Sequence, residues 1–269
     1  MSETAEFKIP KLRMPTPEEH REVSLAWLKR VQPTLIDQWP SELTALSMPT
    51  KLVKVDAITM FEEICSLHDG KEMGPYLPAL ALELDRQIGW DRKFVRLNSR
   101  SPKDWPWPFH VPATISGKEA VSILSGSERV LDDLLEFKYV PEQPCFICLR
   151  DWVHWISGEN EFRCFVKDGR LIAVTHYDYT KPAPERLAVQ GTDIRAKIDT
   201  YFIERLRPTL PIDTVVFDVA LNYDGELLLI EINPYGLSDP CWFGSYAAVE
   251  NANEPVQFAP PTQPREGEL

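Results

Sequence analysis

The sequence predicts an α+β fold built on largely antiparallel sheets. Three observations lead there. Apolar residues alternate with period two in EFRCFVKDGRLIAVTHYDY and VFDVALNYDGELLLIEINP, and each stretch folds back at an Asp-Gly pair. Asp-Gly between two alternating runs is a strong hairpin signal, because the tight turn needs positive φ, which glycine and aspartate tolerate. Elsewhere apolar residues recur at helical spacing, as at positions 194, 198, 202 and 206. The strands come in hairpins with helices interspersed, so a doubly wound parallel sheet is excluded.

Taken in chain order, residues 1–19 are polar and Pro-punctuated, which predicts a flexible arm. PEEHREVSLAWLKRV (17–31) places acids first and bases last around Val23, Leu25, Trp27 and Leu28, an amphipathic helix. YLPALALELDRQIGW (76–90) reads as a helix closed by Gly89, and a short strand follows around 93–97. Ser116 and Ser127 are candidate N-caps of two short helices across 117–138, separated by Gly126. CFICLRDW (145–152) reads as a strand, 193–207 as a helix, and the two Asp-Gly hairpins complete the set. The Pro-rich segment 249–269 predicts a disordered tail. The expected division is an N-terminal lobe over 20–146 and a C-terminal lobe over 147–248.

Composition narrows the function classes. The net charge is −12, which excludes general nucleic-acid binding but leaves room for a local basic pocket. There is no apolar run of membrane-spanning length, and the first twenty residues lack an apolar core of the secretory type, so a cytosolic protein is expected. The five cysteines read as reduced thiols. Cys145 and Cys148 match a CxxC pattern, but strand alternation puts them on opposite faces and no second Cys/His pair completes a zinc site. Trp152 and Trp155 read as core or cleft-wall aromatics, Trp105 and Trp107 as packing residues or a cap on a cleft, and His110 and His154 as histidines without ligand partners.

The last hairpin raises a sharper question. With Asp224-Gly225 as a two-residue turn, Phe217–Ile232, Val219–Ile230 and Leu221–Leu228 form an apolar face. Asp218 then stands opposite Glu231 on the other face, with Asn233 beside it. Two facing carboxylates, Cβ atoms about 5 Å apart, repel. A retained proton, a bound cation, or nearby Lys or Arg relieves this, and the three oxygen donors suit Mg²⁺. In the other hairpin the same arithmetic puts Glu161, Arg163 and Phe165 on one face with His176, Val174 and Ile172, a polar cleft wall or a surface pair of Arg163 with Glu161 or Asp178. The loop RLNSRSPKD (96–104) carries hydroxyls, an amide and cations able to hold phosphate, or is a solvated turn.

Together these stretches resemble the cell division cycle protein 123 family. LRDWVHWISGENEFRCFVKDGRLIAVTHYDYT resembles its central signature, with EFRxFV ahead of a hairpin ending in aspartate-tyrosine. VVFDVALNYDGELLLIEINPYG is similar to its FDxY and WLIDFNPFG motifs, and RLNSRSPKD to its KLNWSAPRD. The resemblance covers roughly 93–245. It implies an ATP-grasp fold, two α+β lobes with ATP between them. It implies that Arg96, standing where the family has lysine, contacts phosphate, with Asn98 and the loop Ser99, Ser101 and Lys103 over the phosphates. Leu149 and Arg150 would offer backbone groups to the adenine, with Trp152 nearby, and Arg163 would contact phosphate. Asp218, Glu231 and Asn233 would hold Mg²⁺, Glu231 replacing an aspartate. The family's partner is the gamma subunit of translation initiation factor 2. The expected function is therefore an ATP- and Mg²⁺-binding assembly chaperone. The alternative is an ATP-grasp ligase joining a carboxylate to an amine.

Overall fold

The computed structural model describes residues 15–105 and 113–259 of the 269. Residues 1–14, Trp107, His110 and 260–269 lie outside the described residues, so the expectations placed on them are not taken further. The helices are α1 (Pro17–Val31), α2 (Ser41–Thr44), α3 (Ala57–His68), α4 (Tyr76–Ile88), α5 (Gly117–Ser125), α6 (Glu128–Tyr139), α7 (Glu185–Ala188), α8 (Gly191–Tyr201) and α9 (Tyr246–Glu250). The strands are β1 (Thr50–Val55), β2 (Lys93–Leu97), β3 (Ala113–Thr114), β4 (Cys145–Asp151), β5 (Glu161–Lys167), β6 (Arg170–His176), β7 (Val215–Leu221) and β8 (Leu227–Pro234).

Local chemistry sets many of the boundaries. Thr16 and Glu19 form a capping box at the start of α1. Ser116 and Ser127 accept from backbone N–H groups of α5 and α6. Gly89 closes α4 at φ +66°, where a side chain would strain the backbone. The predicted helix 193–207 changes character partway. α8 is α-helical to Tyr201 and continues as a π turn over Phe202–Leu206. Its apolar residues repeat every four positions, which drifts around a 3.6-residue helix, and the wider turn restores Phe202 and Leu206 to the core.

Two four-stranded antiparallel sheets result, in the orders β1-β4-β2-β3 and β6-β5-β7-β8. α3, α4, α5 and α6 cover the first around Met60, Ile64, Leu84, Leu97 and Leu134. α8 covers one face of the second around Phe162, Ile198, Phe217 and Val219. The other face is packed at one end by Val249 of α9 against Phe165 and Val216, and is open and polar at the other. Two α+β lobes with mainly antiparallel sheets and a cleft between them form the arrangement that the ATP-grasp resemblance implies. No helix among the described residues is long and apolar enough to cross a membrane.

Several expectations need correction. The proposed boundary at 146/147 cuts through β4, which pairs with β1 and β2 of the first sheet. Ile36, Trp39 and Leu43, expected in the N-terminal lobe, pack in the core of the second sheet instead. The segment 249–259 is not a loose tail. Val249, Val256 and Ala259 are buried, and Gln257 hydrogen-bonds to Val174 and His176 along the edge of β6. Composition suggested disorder there, but the exposed edge of a sheet offers unpaired backbone groups that the segment satisfies. Cys145 and Cys148 do face opposite sides, one toward each core.

Both hairpins contain a bulge. The loop after β7 is Tyr223-Asp224-Gly225, with Gly225 at φ +82° and Asn222 bonded to Glu226 on both sides. Val219 therefore pairs with Leu229 and Leu221 with Leu227, one residue off the expected register. A bulge at Ile230 restores Asp218 opposite Glu231. In the other hairpin a bulge at Ile172 pairs Arg163 with Thr175 and Phe162 with His176. His176 thus lies on the core face against Phe162, not on the face of Glu161 and Arg163 as expected. Tyr177 takes its place on the cleft face, its N–H donating to the Glu161 carbonyl.

Candidate functional site

Between the sheets is a cleft of about 470 Å³. One wall comes from Phe94, Arg96, Ser101, Lys103, Arg150 and Asp151, the other from Glu161, Arg163, Tyr177 and Glu231. Met48, Trp152, Val153 and Ile156 make an apolar part, and Tyr179, Asp239 and Cys241 are among the other lining residues.

Strand alternation builds the charged part. Arg163 on β5 stands opposite Asp218 on β7, and Asp218 opposite Glu231 on β8. The Arg163 guanidinium donates through Nε and Nη2 to both Asp218 oxygens at 2.8 Å, and through Nη1 to the Asp239 carbonyl at 2.9 Å. Glu231 accepts from Arg96 and lies 3.5 Å from Lys103 Nζ. Asn233 Nδ2 donates to Asp218 Oδ2 at 3.4 Å. The repulsion between the facing carboxylates is thus relieved by guanidinium and ammonium groups, so the pair by itself does not require a metal. Such charge-assisted pairs are stable out of water only when nearly every oxygen is satisfied, as here.

The electrostatics follow. Burial opposes the Glu231 carboxylate, but Lys103 and Arg96 outweigh it and hold its pKa well below the usual range. Burial also opposes the Lys103 ammonium, and Glu231 outweighs it, raising its pKa. Lys103 and Arg163 both lie over the Tyr177 ring, at 4.4 and 4.8 Å from its centroid. Arg150 is 2% exposed and donates only to neutral groups, the Ile230 carbonyl at 2.7 Å and Ser47 Oγ at 2.6 Å. Burial and the neighbouring Arg96 work against its charge. The Glu161 carboxyl, with no hydrogen bond or ion pair to the described residues, is pushed up by burial to about 7.

Of the residues expected at the site, Arg96, Ser101, Lys103, Arg150, Trp152, Arg163 and Glu231 line the cleft. Asp218, 1% exposed, lies beneath Arg163, and Asn233 adjoins it. Three residues are placed elsewhere. Asn98 is fully buried and bonded to Asp37 and the Phe146 N–H. The Ser99 hydroxyl turns to Asp133 at 2.5 Å. Leu149 points into the first core, and the backbone of Leu149 and Arg150 runs between β1 and β2, so neither offers free groups to a base. Sequence reasoning missed Tyr177 because the bulge at Ile172 shifted its register. Met48, Phe94 and Ile156 left no local signal, being brought to the cleft only by lobe packing.

Among the described residues no three His, Cys, Asp or Glu side chains gather as a metal group. A metal reading therefore rests on two carboxylates and one amide. These are hard oxygen donors of the kind Mg²⁺ takes and they share one face of β7–β8, so residue type fits the ion, while the carboxylate oxygens here pair with Arg163, Arg96 and Lys103.

Comparison with known proteins places this geometry. A family model, D123, matches residues 69–260. A translation initiation factor eIF2 assembly protein of Xenopus tropicalis is 38% identical over 176 residues, covering 60% of this chain and 51% of that protein. A cell division cycle protein 123 of Yarrowia lipolytica is 31% identical over 153 residues, covering 52% and 39%. The chain spans about half the length of the curated relatives it matches or less. The solved structure of Cdc123 from Schizosaccharomyces pombe superposes with a TM-score of 0.68 at 25% identity, covering 84% of this chain and 93% of that one. With the matched segment holding both β-hairpins, the 96–104 loop and the charged residues between them, the chain belongs to the D123 family.

Proposed function

We propose that the cleft binds ATP with Mg²⁺ and that the bound nucleotide orders the two lobes around a protein client in translation-factor assembly. The observation that carries the reading is the convergence of Arg96, Lys103, Arg150 and Arg163 beside Asp218 and Glu231 in one partly enclosed cleft. The cations match a polyphosphate, and the apolar stretch of Met48, Trp152, Val153 and Ile156 matches a flat base. Asp218, Glu231 and Asn233 would hold the Mg²⁺, which would neutralise phosphate charge. Arg163 and Arg96 engage the same carboxylates, so they bind and orient at the phosphate end.

The client rests on the relatives' names, which describe assembly of eIF2. Those names favour the chaperone reading over carboxylate–amine ligation. Calorimetric titration with ATP, with and without Mg²⁺, tests the site. Wild type is expected to bind ATP more tightly with Mg²⁺, and Asp218→Asn with Glu231→Gln to abolish that gain while the protein stays folded. A Mg²⁺ effect that survives both substitutions would remove these residues from the site.

A further inference from the structure

α6 lies outside the cleft, yet it holds the loop that supplies part of its wall. Asp133, midway along α6, is 2% exposed. One of its oxygens accepts from Ser99 Oγ at 2.5 Å and the other pairs with Arg100 Nη2 at 2.5 Å. A carboxylate this deep persists only with such partners, and both are consecutive residues of the loop leaving β2. The N-cap of the same helix grips the loop's far end. Ser127 Oγ donates to Asp104 Oδ1 at 2.5 Å, and the Arg129 N–H to Asp104 Oδ2 at 3.0 Å. Arg100 also donates to the Arg129 carbonyl at 2.9 Å. Ser101 and Lys103, the loop residues that line the cleft, sit between these two anchors. The Lys103 ammonium ends a flexible stem, so its reach to Tyr177 and Glu231 depends on where the loop backbone is held.

We propose that Asp133 is a positioning residue for nucleotide binding: through Ser99 and Arg100 it holds segment 99–103 so that Lys103 presents its ammonium to the phosphate end of the cleft. The proposal rests on the ATP reading. It predicts a loss confined to phosphate recognition, whereas a residue needed only for lobe packing would weaken nucleoside and nucleotide alike.

The test uses the full chain. Affinities for ATP (calorimetry) and for adenosine (titration by NMR) are measured for wild type, Asp133→Asn, Lys103→Met and the double variant, with thermal melts alongside. Asp133→Asn is expected to weaken ATP about tenfold or more and adenosine by under about twofold. In the Lys103→Met background the added loss for ATP should fall below about twofold, because the effect passes through Lys103. Equal losses for both ligands, or a tenfold effect that persists without Lys103, would overturn the assignment. Should Asp133→Asn not fold, Ser99→Ala breaks one of the two contacts. It is expected to give the same pattern at about threefold, and ATP affinity unchanged in that variant would overturn the proposal too. Wild type that binds no ATP is a separate failure, of the nucleotide reading itself.

Discussion

The cleft has two charged walls, and their side chains come to face it in different ways. On the C-terminal wall Arg163 and Glu231 arrive by strand alternation, Arg163 on β5 between β6 and β7 and Glu231 on the edge strand β8 paired with β7. On the N-terminal wall Arg96 and Arg150 come from β2 and β4, while Ser101 and Lys103 come from a loop clamped by α6. A strand wall holds its geometry wherever its sheet is intact. A loop wall depends on particular side chains of a different element. Damage to the first should appear as lost stability, and damage to the second as lost recognition with a modest stability cost.

The largest effect expected is at the strand wall. Arg163→Met leaves Asp218 buried without its two-pronged partner. Denaturant unfolding should show a loss of about 3–5 kcal/mol. A loss under about 1 kcal/mol would mean that the Asp218 charge is solvated, and the contrast between the walls would fail. Glu161 sharpens the picture through pH. Its carboxyl is pushed by burial from 4.5 to about 7. The folded protein therefore keeps a proton that the unfolded chain releases, so this group takes stability away as pH rises from about 4.5 to 7, and the loss is complete above that. Glu161→Gln should lack this component, gaining up to about 3 kcal/mol over wild type near pH 8 and matching it near pH 4. Parallel stability profiles for the two proteins would refute it. The smallest effect belongs to the loop wall. Ser127→Ala removes the α6 cap and one anchor of Asp104, costing about 1 kcal/mol by thermal melting.

Much of the fold was legible in the sequence because it is written in short-range patterns. The spans of α1 and β2, the caps Ser116 and Ser127, and the opposition of Asp218 to Glu231 all follow from periodicity and local hydrogen bonding. Opposition was reached by two errors that cancel. The turn was one residue longer than expected and the bulge at Ile230 absorbed the difference. In the β5–β6 hairpin the single bulge at Ile172 had no such compensation, and His176 was exchanged for Tyr177 on the cleft face.

Side-chain spacing along the chain determined which residues carry charge, which faces are apolar, and that two antiparallel ribbons form. Tertiary structure alone decided what those charges meet: that Arg163 closes on Asp218, that Ser99 turns to α6, that β4 joins the first sheet, and that 249–259 lies along β6. The physical reason is range. Alternation and capping act over a few residues, whereas these outcomes depend on buried polar groups and open strand edges finding partners tens of residues away, under a penalty for any left unmet.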